Sequence, residues 1–117
     1  MGGQTSTASA VRAAVDRARA VVHEADTHEE LNKLAEELRD YISQMLPIAQ
    51  NQTDRMWRGS REWYVLTSRL NGISTEAQQP LAASKLAAHV QVRLLALDCE
   101  WLFMRYGTDL PTESPTR

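Results

Sequence analysis

Between Ala83 and Tyr106 the chain carries two interleaved apolar series, and few folds can hold a helix that is greasy on two sides. One series is Ala83, Ala87, Val90, Leu94, Leu97, Trp101 and Met104. Its alternating steps of four and three make a heptad seam. The other is Ala88, Val92, Leu95, Cys99, Leu102 and Tyr106, with the same stepping. At about 100° per residue, Val92 and Leu94 project about 200° apart, so the two series lie on roughly opposite sides. Only two narrow polar lines remain, one through Lys85, His89, Arg93 and Glu100 and one through Gln91, Asp98 and Arg105. A helix apolar on two faces is expected to be buried on both. Either this segment sits centrally with neighbours on both sides, or one side meets another chain. Pro80 suits a first helical turn and Gly107 the position past the last, which predicts a helix from about Pro80 to Tyr106.

Three further helices precede it. Val11, Ala14, Val15, Ala18, Val21 and Val22 recur at helical spacing and predict a helix from Ala8 to Glu24. Its stripe is made of small side chains, so its packing is expected to be close but weak. Thr27-His28-Glu29-Glu30 reads as a capping box that opens a second helix. Leu31, Leu34, Leu38, Ile42 and Met45 form its face, and the stripe keeps its phase beyond Pro47. A bent helix reaching about Trp57 is therefore expected, not a stop at the proline. Trp63, Leu66 and Leu70 share the face of a short third helix from Ser60 to Leu70. Asn71-Gly72 would terminate it, leaving a polar loop over 72–80, although Ser74 or Thr75 could start the next helix early. The domain expectation is a disordered N-terminus over residues 1–7, a helical bundle over 8–107 and a disordered polar tail over 108–117, with Pro111 and Pro115 in the tail.

The chain has 117 residues, enough for one domain with a real core. Its net charge of −2 is too small to make nucleic acid or an anionic membrane the main partner. The charge is uneven: residues 1–50 hold eight acids and five bases, whereas residues 51–75 hold Asp54 and Glu62 against Arg55, Arg58, Arg61 and Arg69. Cys99 is the single cysteine, which excludes an internal disulfide and fits a reducing cytoplasm. Met1 to Ser9 lack the positive start and apolar run of a signal peptide, and no stretch approaches the roughly 18 apolar residues of a membrane span. Arginine outnumbers lysine 11 to 2 and alanine is abundant, a bias typical of GC-rich genomes such as those of actinobacteria.

Candidate chemistry is sparse. No glycine-rich phosphate loop, CxxC pair or HExxH motif is present. His23, Asp26 and His28 have metal-ligand chemistry but straddle a helix junction, where Asp26 and Thr27 are committed to capping. His89 reads as a surface or interface histidine, and Cys99 as a buried small hydrophobe with no neighbouring base to activate it. Glu36, Glu37 and Asp40 form an acidic cluster that, beside Lys33 and Arg39, reads as a solvated helix face. A helix-turn-helix over 60–90 would need a basic start after Asn71-Gly72, and Ser74 to Pro80 do not provide one. Catalytic, cofactor and metal residues are thus all read as none. The surface constellation that stands out is Arg55, Trp57, Arg58 and Arg61 with Trp63. Arginine and tryptophan are enriched at binding hot spots, and together they could hold a planar or anionic ligand. Trp63 can equally be core, and the arginines merely solvated.

Two stretches, Leu38 to Pro47 and Leu86 to Cys99 running on to Tyr106, together with the spacing between them, resemble a family of short helical proteins of unknown function from Streptomyces, often labelled as natural-product biosynthesis proteins. The resemblance spans roughly residues 30–106. It carries no catalytic residues and implies a cytoplasmic actinobacterial accessory or regulatory protein.

The expectation is therefore an all-α fold, a three- to four-helix antiparallel bundle with the long C-terminal helix as its spine. Its expected role is non-enzymatic: a homodimer or a binder of another helical protein, without cofactor, with Val92, Leu95, Leu102 and Phe103 as the association face. Arg55, Trp57, Arg58 and Arg61 are the second surface, for a partner or a small-molecule ligand. A DNA-binding regulator ranks third.

Overall fold

The computed structural model describes residues 7–20 and 27–107. Residues 1–6 and 108–117, where disorder is expected, and with them Val21, Val22, His23 and Asp26, lie outside those residues, while Thr7, expected in the disordered N-terminus, opens the first helix. Four helices, α1 (Thr7–Arg19), α2 (His28–Asp54), α3 (Arg61–Gln78) and α4 (Lys85–Tyr106), make the protein all-α, and no strand occurs among the described residues.

The start of α2 is the capping box that the sequence spells out. Thr27 Oγ1 accepts from the Glu30 amide at 3.1 Å, and the Thr27 amide donates to Glu30 Oε1 at 2.9 Å. From there Leu31, Ala35, Leu38, Ile42, Met45, Ala49 and Thr53 form one buried stripe. Pro47 lies inside the helix on its exposed side. The Ser43 carbonyl that loses its amide partner there is open to water, so the helix continues. At the buried end, the Thr53 hydroxyl donates to the Ala49 carbonyl at 2.8 Å and so is satisfied without solvent.

The structure corrects the expected end of α3. The helix does not stop at Asn71-Gly72 but runs two further turns to Gln78. Gly72 does not take a left-handed conformation. The stripe Leu66, Leu70, Ile73 and Ala77 keeps its phase across the glycine, with Ile73 buried and Ala77 packed against the core. Burying Ile73 contributes about 1.5–3 kcal/mol, which outweighs the ~1 kcal/mol helix penalty of a glycine. Tertiary packing thus overrides the local terminator, and a helix-turn-helix with its turn at residues 71–72 is excluded by the same observation.

Nor does α4 start at Pro80. Ser84 is its N-cap, accepting from the Ala87 amide at 3.1 Å. The segment before it is held from outside. Gln91 accepts from the Ala82 amide at 2.8 Å and donates to the Pro80 carbonyl at 2.7 Å. Arg39 donates to the Gln79 carbonyl at 2.7 Å, and the His28 ring contacts the Ala82 carbonyl at 2.8 Å. With its carbonyls and amide engaged this way, the chain from Gln79 to Ala83 is a pinned connection.

Sequence neighbours pack antiparallel. Arg17 of α1 pairs with Glu37 of α2, and Arg69 of α3 lies beside Asp98 of α4. The most extensive contact, however, joins α2 to α4, which run in the same direction, with His28 near Ala82 at one end and Thr53 near Tyr106 at the other. α1 packs against both members of this pair, while α3 packs mainly against α2 and only lightly against α4. The molecule is a flat body of 46 × 40 × 18 Å, its thin dimension little more than two helix layers at about 8–10 Å spacing. The core is the seam between α2 and α4, where Leu31, Leu38, Ile42 and Met45 meet Val92, Leu95 and Leu102.

Two substitutions test this account by thermal unfolding. Ile42→Ala is expected to cost about 2–5 kcal/mol, because it hollows a fully buried position. Gly72→Ala is expected to stabilise by about 1 kcal/mol and to raise Tm by several degrees, since a Cβ there meets nothing within 4 Å.

Candidate functional site

Of the two apolar series on α4, the fold uses one. Ala88, Val92, Leu95, Cys99 and Leu102 are fully buried, and Tyr106 nearly so. This corrects the expected association face. Val92, Leu95 and Leu102 are core side chains of their own chain. Phe103 is half-buried, covered by the Arg12 guanidinium at 5.6 Å from its ring centroid and pressed against Gly107, where a Cβ would stand 2.7 Å from the ring. Val92, Leu95 and Leu102 are therefore not available to a partner.

The opposite series is what the fold leaves uncovered. Val90, Leu94, Leu97 and Met104 are 51, 42, 53 and 74% exposed, and Leu86 beside them is 66% exposed. Half-buried Trp101 completes the stripe. It amounts to roughly 500 Å² of apolar surface, the scale of the largest patch that monomeric proteins carry. The cause is architectural. α1 covers one flank of α4 and α2 its inner face, and α3 leans away, so none of the other described helices lies over the outside.

Charge borders the stripe on both sides. On the α1 flank, Arg19 pairs with Glu100 at 2.7 Å. On the α3 flank, the Arg69 guanidinium sits 4.7 Å from the Trp101 ring centroid and 3.9 Å from the Asp98 carboxylate, with Arg105 at 5.4 Å from the same ring. Tyr106 meets Trp101 edge-on at 6.2 Å. The indole is therefore held by its neighbours, and its orientation is set before anything binds. Burial pushes the Asp98 carboxyl above its ordinary range; Arg69 offsets part of this and Glu76 adds to it. An apolar centre with a charged rim is the anatomy of a protein–protein contact.

Hollows beside the stripe are open and shallow. One of about 250 Å³ is lined by Ala18, Arg19, Arg93, Ala96 and Leu97, and another of about 310 Å³ lies between α3 and α4 around Arg69, Gly72 and Asp98. Neither encloses a small molecule as ligand pockets do.

The other sequence candidates are placed as follows. Arg55, Trp57, Arg58 and Arg61 come together on the connection between α2 and α3 as an open corner. Trp57 is 77% exposed, and its ring lies flat over Gly59, where a Cβ would stand 2.6 Å away. The hollow at this corner is lined instead by Gln52, Met56, Glu62, Leu66 and Arg105, among others. Trp63 is half-buried on α3. His89 departs from the surface reading: it is only 4% exposed, on the flank of α4 that also carries Ala96 and Phe103. Glu37 is taken by Arg17 and by the Tyr41 hydroxyl at 3.3 Å, while Glu36 and Asp40 face solvent. Burial, with Glu37 second, raises the Tyr41 pKa. His28 is engaged with the Ala82 carbonyl, and among the described residues no group of three His, Cys, Asp or Glu could hold a metal ion. No helix of the described residues is long and apolar enough to cross a membrane.

The model of the family of unknown function DUF6415 matches residues 9–111, nearly the whole helical body. The chain belongs to that family. No curated protein and no solved structure matches it. Membership thus agrees with the expectation of an uncharacterised helical family, and the matched span takes in the α4 stripe and both of its charged rims.

Sequence reasoning missed Leu86 as part of the exposed stripe and Gln91 as the clamp on the connection before α4. Leu86 falls between the two heptad series and was hidden by them. Gln91, next to the core position Val92 and nine residues after Ala82, gives no local signal of its long-range partner.

Cys99 behaves as the sequence suggests. Burial, helped by Asp98, Glu100 and Glu37, pushes its thiol up to about 12 from 9.0. Below pH 9 the thiol is protonated in both the folded and the unfolded chain. Above it the unfolded chain releases the proton while the folded chain retains it, so stability falls as pH rises from about 9 to about 12. A thiol reagent at pH 8 is expected to label Cys99 only after denaturation. The alkaline fall in Tm is expected to be shallower in Cys99→Ala; rapid labelling of the native protein would contradict the buried placement.

Proposed function

We propose that the chain is a non-enzymatic helical interaction protein that self-associates through the outer face of α4. The observation that carries this reading is the exposed stripe Leu86, Val90, Leu94, Leu97, Trp101 and Met104 on a helix whose other face already forms the core. A solvent-facing helix side would be expected to carry charged residues at these positions. A C2 homodimer is the commonest way for a chain to bury such a surplus. The arginine-rich composition, the single buried cysteine and the resemblance to Streptomyces proteins support a cytoplasmic accessory role in an actinobacterium, within specialised metabolism.

Sedimentation of the purified protein tests the association. The wild type is expected to dimerise. Leu97→Lys is expected to shift it to monomer while leaving helical content unchanged and the intrinsic stability of the protomer within about 0.5 kcal/mol of wild type, as befits an exposed site. A wild type that stays monomeric at high concentration removes this reading.

A second reading has one observation in its favour. Trp57 presents an open ring face, held flat on Gly59, beside the exposed guanidiniums of Arg55, Arg58 and Arg61. Such a corner suits a planar or anionic ligand. Aromatic carboxylates are then expected to raise Tm in the wild type and not in Trp57→Ala.

A further inference from the structure

The outer stripe of α4 tapers. Its heptad positions run Ala87, Val90, Leu94, Leu97, Trp101, Met104, from small side chains at the N-terminal end to large ones at the C-terminal end. A helix laid on this face fills it evenly only if its own side chains taper the opposite way. The same helix turned end for end does so. We propose that, given the self-association argued above, the second copy docks α4 on α4 antiparallel, with Leu94 of each chain against the partner's Leu97.

In that register Val90 faces the partner's Trp101 and Ala87 faces the partner's Met104. Each layer pairs a smaller side chain with a larger one, or leucine with leucine, so the helices keep one spacing along about 26 Å of contact. A parallel pair would instead stack Ala87 on the partner's Ala87 and Trp101 on the partner's Trp101. That leaves a void at one end and a wedge at the other.

Charge agrees with the inverted arrangement. Arg93, exposed on the α1 flank, comes level with the partner's Glu100, and the two-fold axis repeats the pair. Glu100 already accepts from Arg19 of its own chain, and its carboxylate has acceptor capacity for a second cation. Area agrees too. Roughly 500 Å² of stripe plus the flanking Arg93, Glu100 and Arg105 approaches the about 800 Å² per partner of a stable interface.

Disulfide trapping in the full chain tests orientation separately from association. Leu94→Cys and Leu97→Cys are made as separate proteins. Both sites are exposed, so the fold tolerates them, and Cys99 stays buried and protonated. After mixing, subunit exchange and mild oxidation, the Leu94→Cys with Leu97→Cys heterodimer is expected to be the main cross-linked species, well above either variant oxidised alone. Cross-linking of each variant chiefly with itself would overturn the antiparallel register while leaving self-association standing. A wild type that sediments as a dimer while no variant or mixture cross-links would place the contact on another face and overturn the proposal. A monomeric wild type would remove both this proposal and the reading beneath it.

Discussion

The seam between α2 and α4 is the contact on which the other packing depends. These two helices are not sequence neighbours, yet they share the largest interface and run in the same direction. Small buried residues lie along the pair, Ala35 and Ala49 on α2 and Ala88 on α4. Beside them Leu38, Ile42, Met45, Leu95 and Leu102 are fully buried. α1 and α3 then take opposite grooves beside the pair. With α2 and α4 in the middle, the cross-section is a flattened rhombus and not a square, as the 18 Å thickness reflects. A square bundle would turn every helix inward on one side. A rhombus built on its short diagonal exposes the backs of the central pair.

That geometry exposes the backs of α2 and α4 alike, yet the two differ in composition. The back of α2 carries Glu29, Lys33, Glu36, Asp40 and Ser43, all exposed, which is a face made for water. The back of α4 carries leucine, valine, tryptophan and methionine at the same depth. Both helices have the same structural task, so the fold alone does not account for the contrast. The proposed association through α4 supplies a cause that the fold does not. The ion pairs at the rim fit this view. Arg19 with Glu100, and Arg69 with Asp98, are partly exposed contacts worth little for stability, but they keep charge at the edges of the apolar stripe and out of its centre.

Local chemistry was readable wherever it was decided locally. The Thr27 and Glu30 capping box, the passage of α2 through Pro47 and the burial of Cys99 all follow from residues within a turn or two of each other. The reading failed where distant packing decided. Asn71-Gly72 is a sound terminator by itself, and it lost because Ile73 and Ala77 had somewhere to go. The doubled pattern on α4 was legible, but not which half faces inward. Two series with identical spacing are equivalent along one helix, and only the grooves offered by α1 and α2 break the tie. His89 was misplaced for the same reason: on the wheel it sits in a polar line, yet the fold leaves it only 4% exposed.

The taper of the α4 stripe bears on specificity as well as on affinity. An apolar stripe of uniform leucines would accept a helix in either direction and at several heptad registers, which invites mixed or open-ended assembly. Grading the side chains from Ala87 to Met104 removes that freedom. A shift by one heptad would set Trp101 of each chain on the partner's Leu97 and carry Val90 and Ala87 past the end of the partner's α4. The cation–π contacts from Arg69 and Arg105 hold the largest member of the series, Trp101, in one orientation, so that it cannot swing to fill a mismatched register. A closed two-fold pair is the arrangement in which this gradient is satisfied at both ends at once. The two-fold symmetry of the proposed dimer rests on the helix being its own complement when inverted.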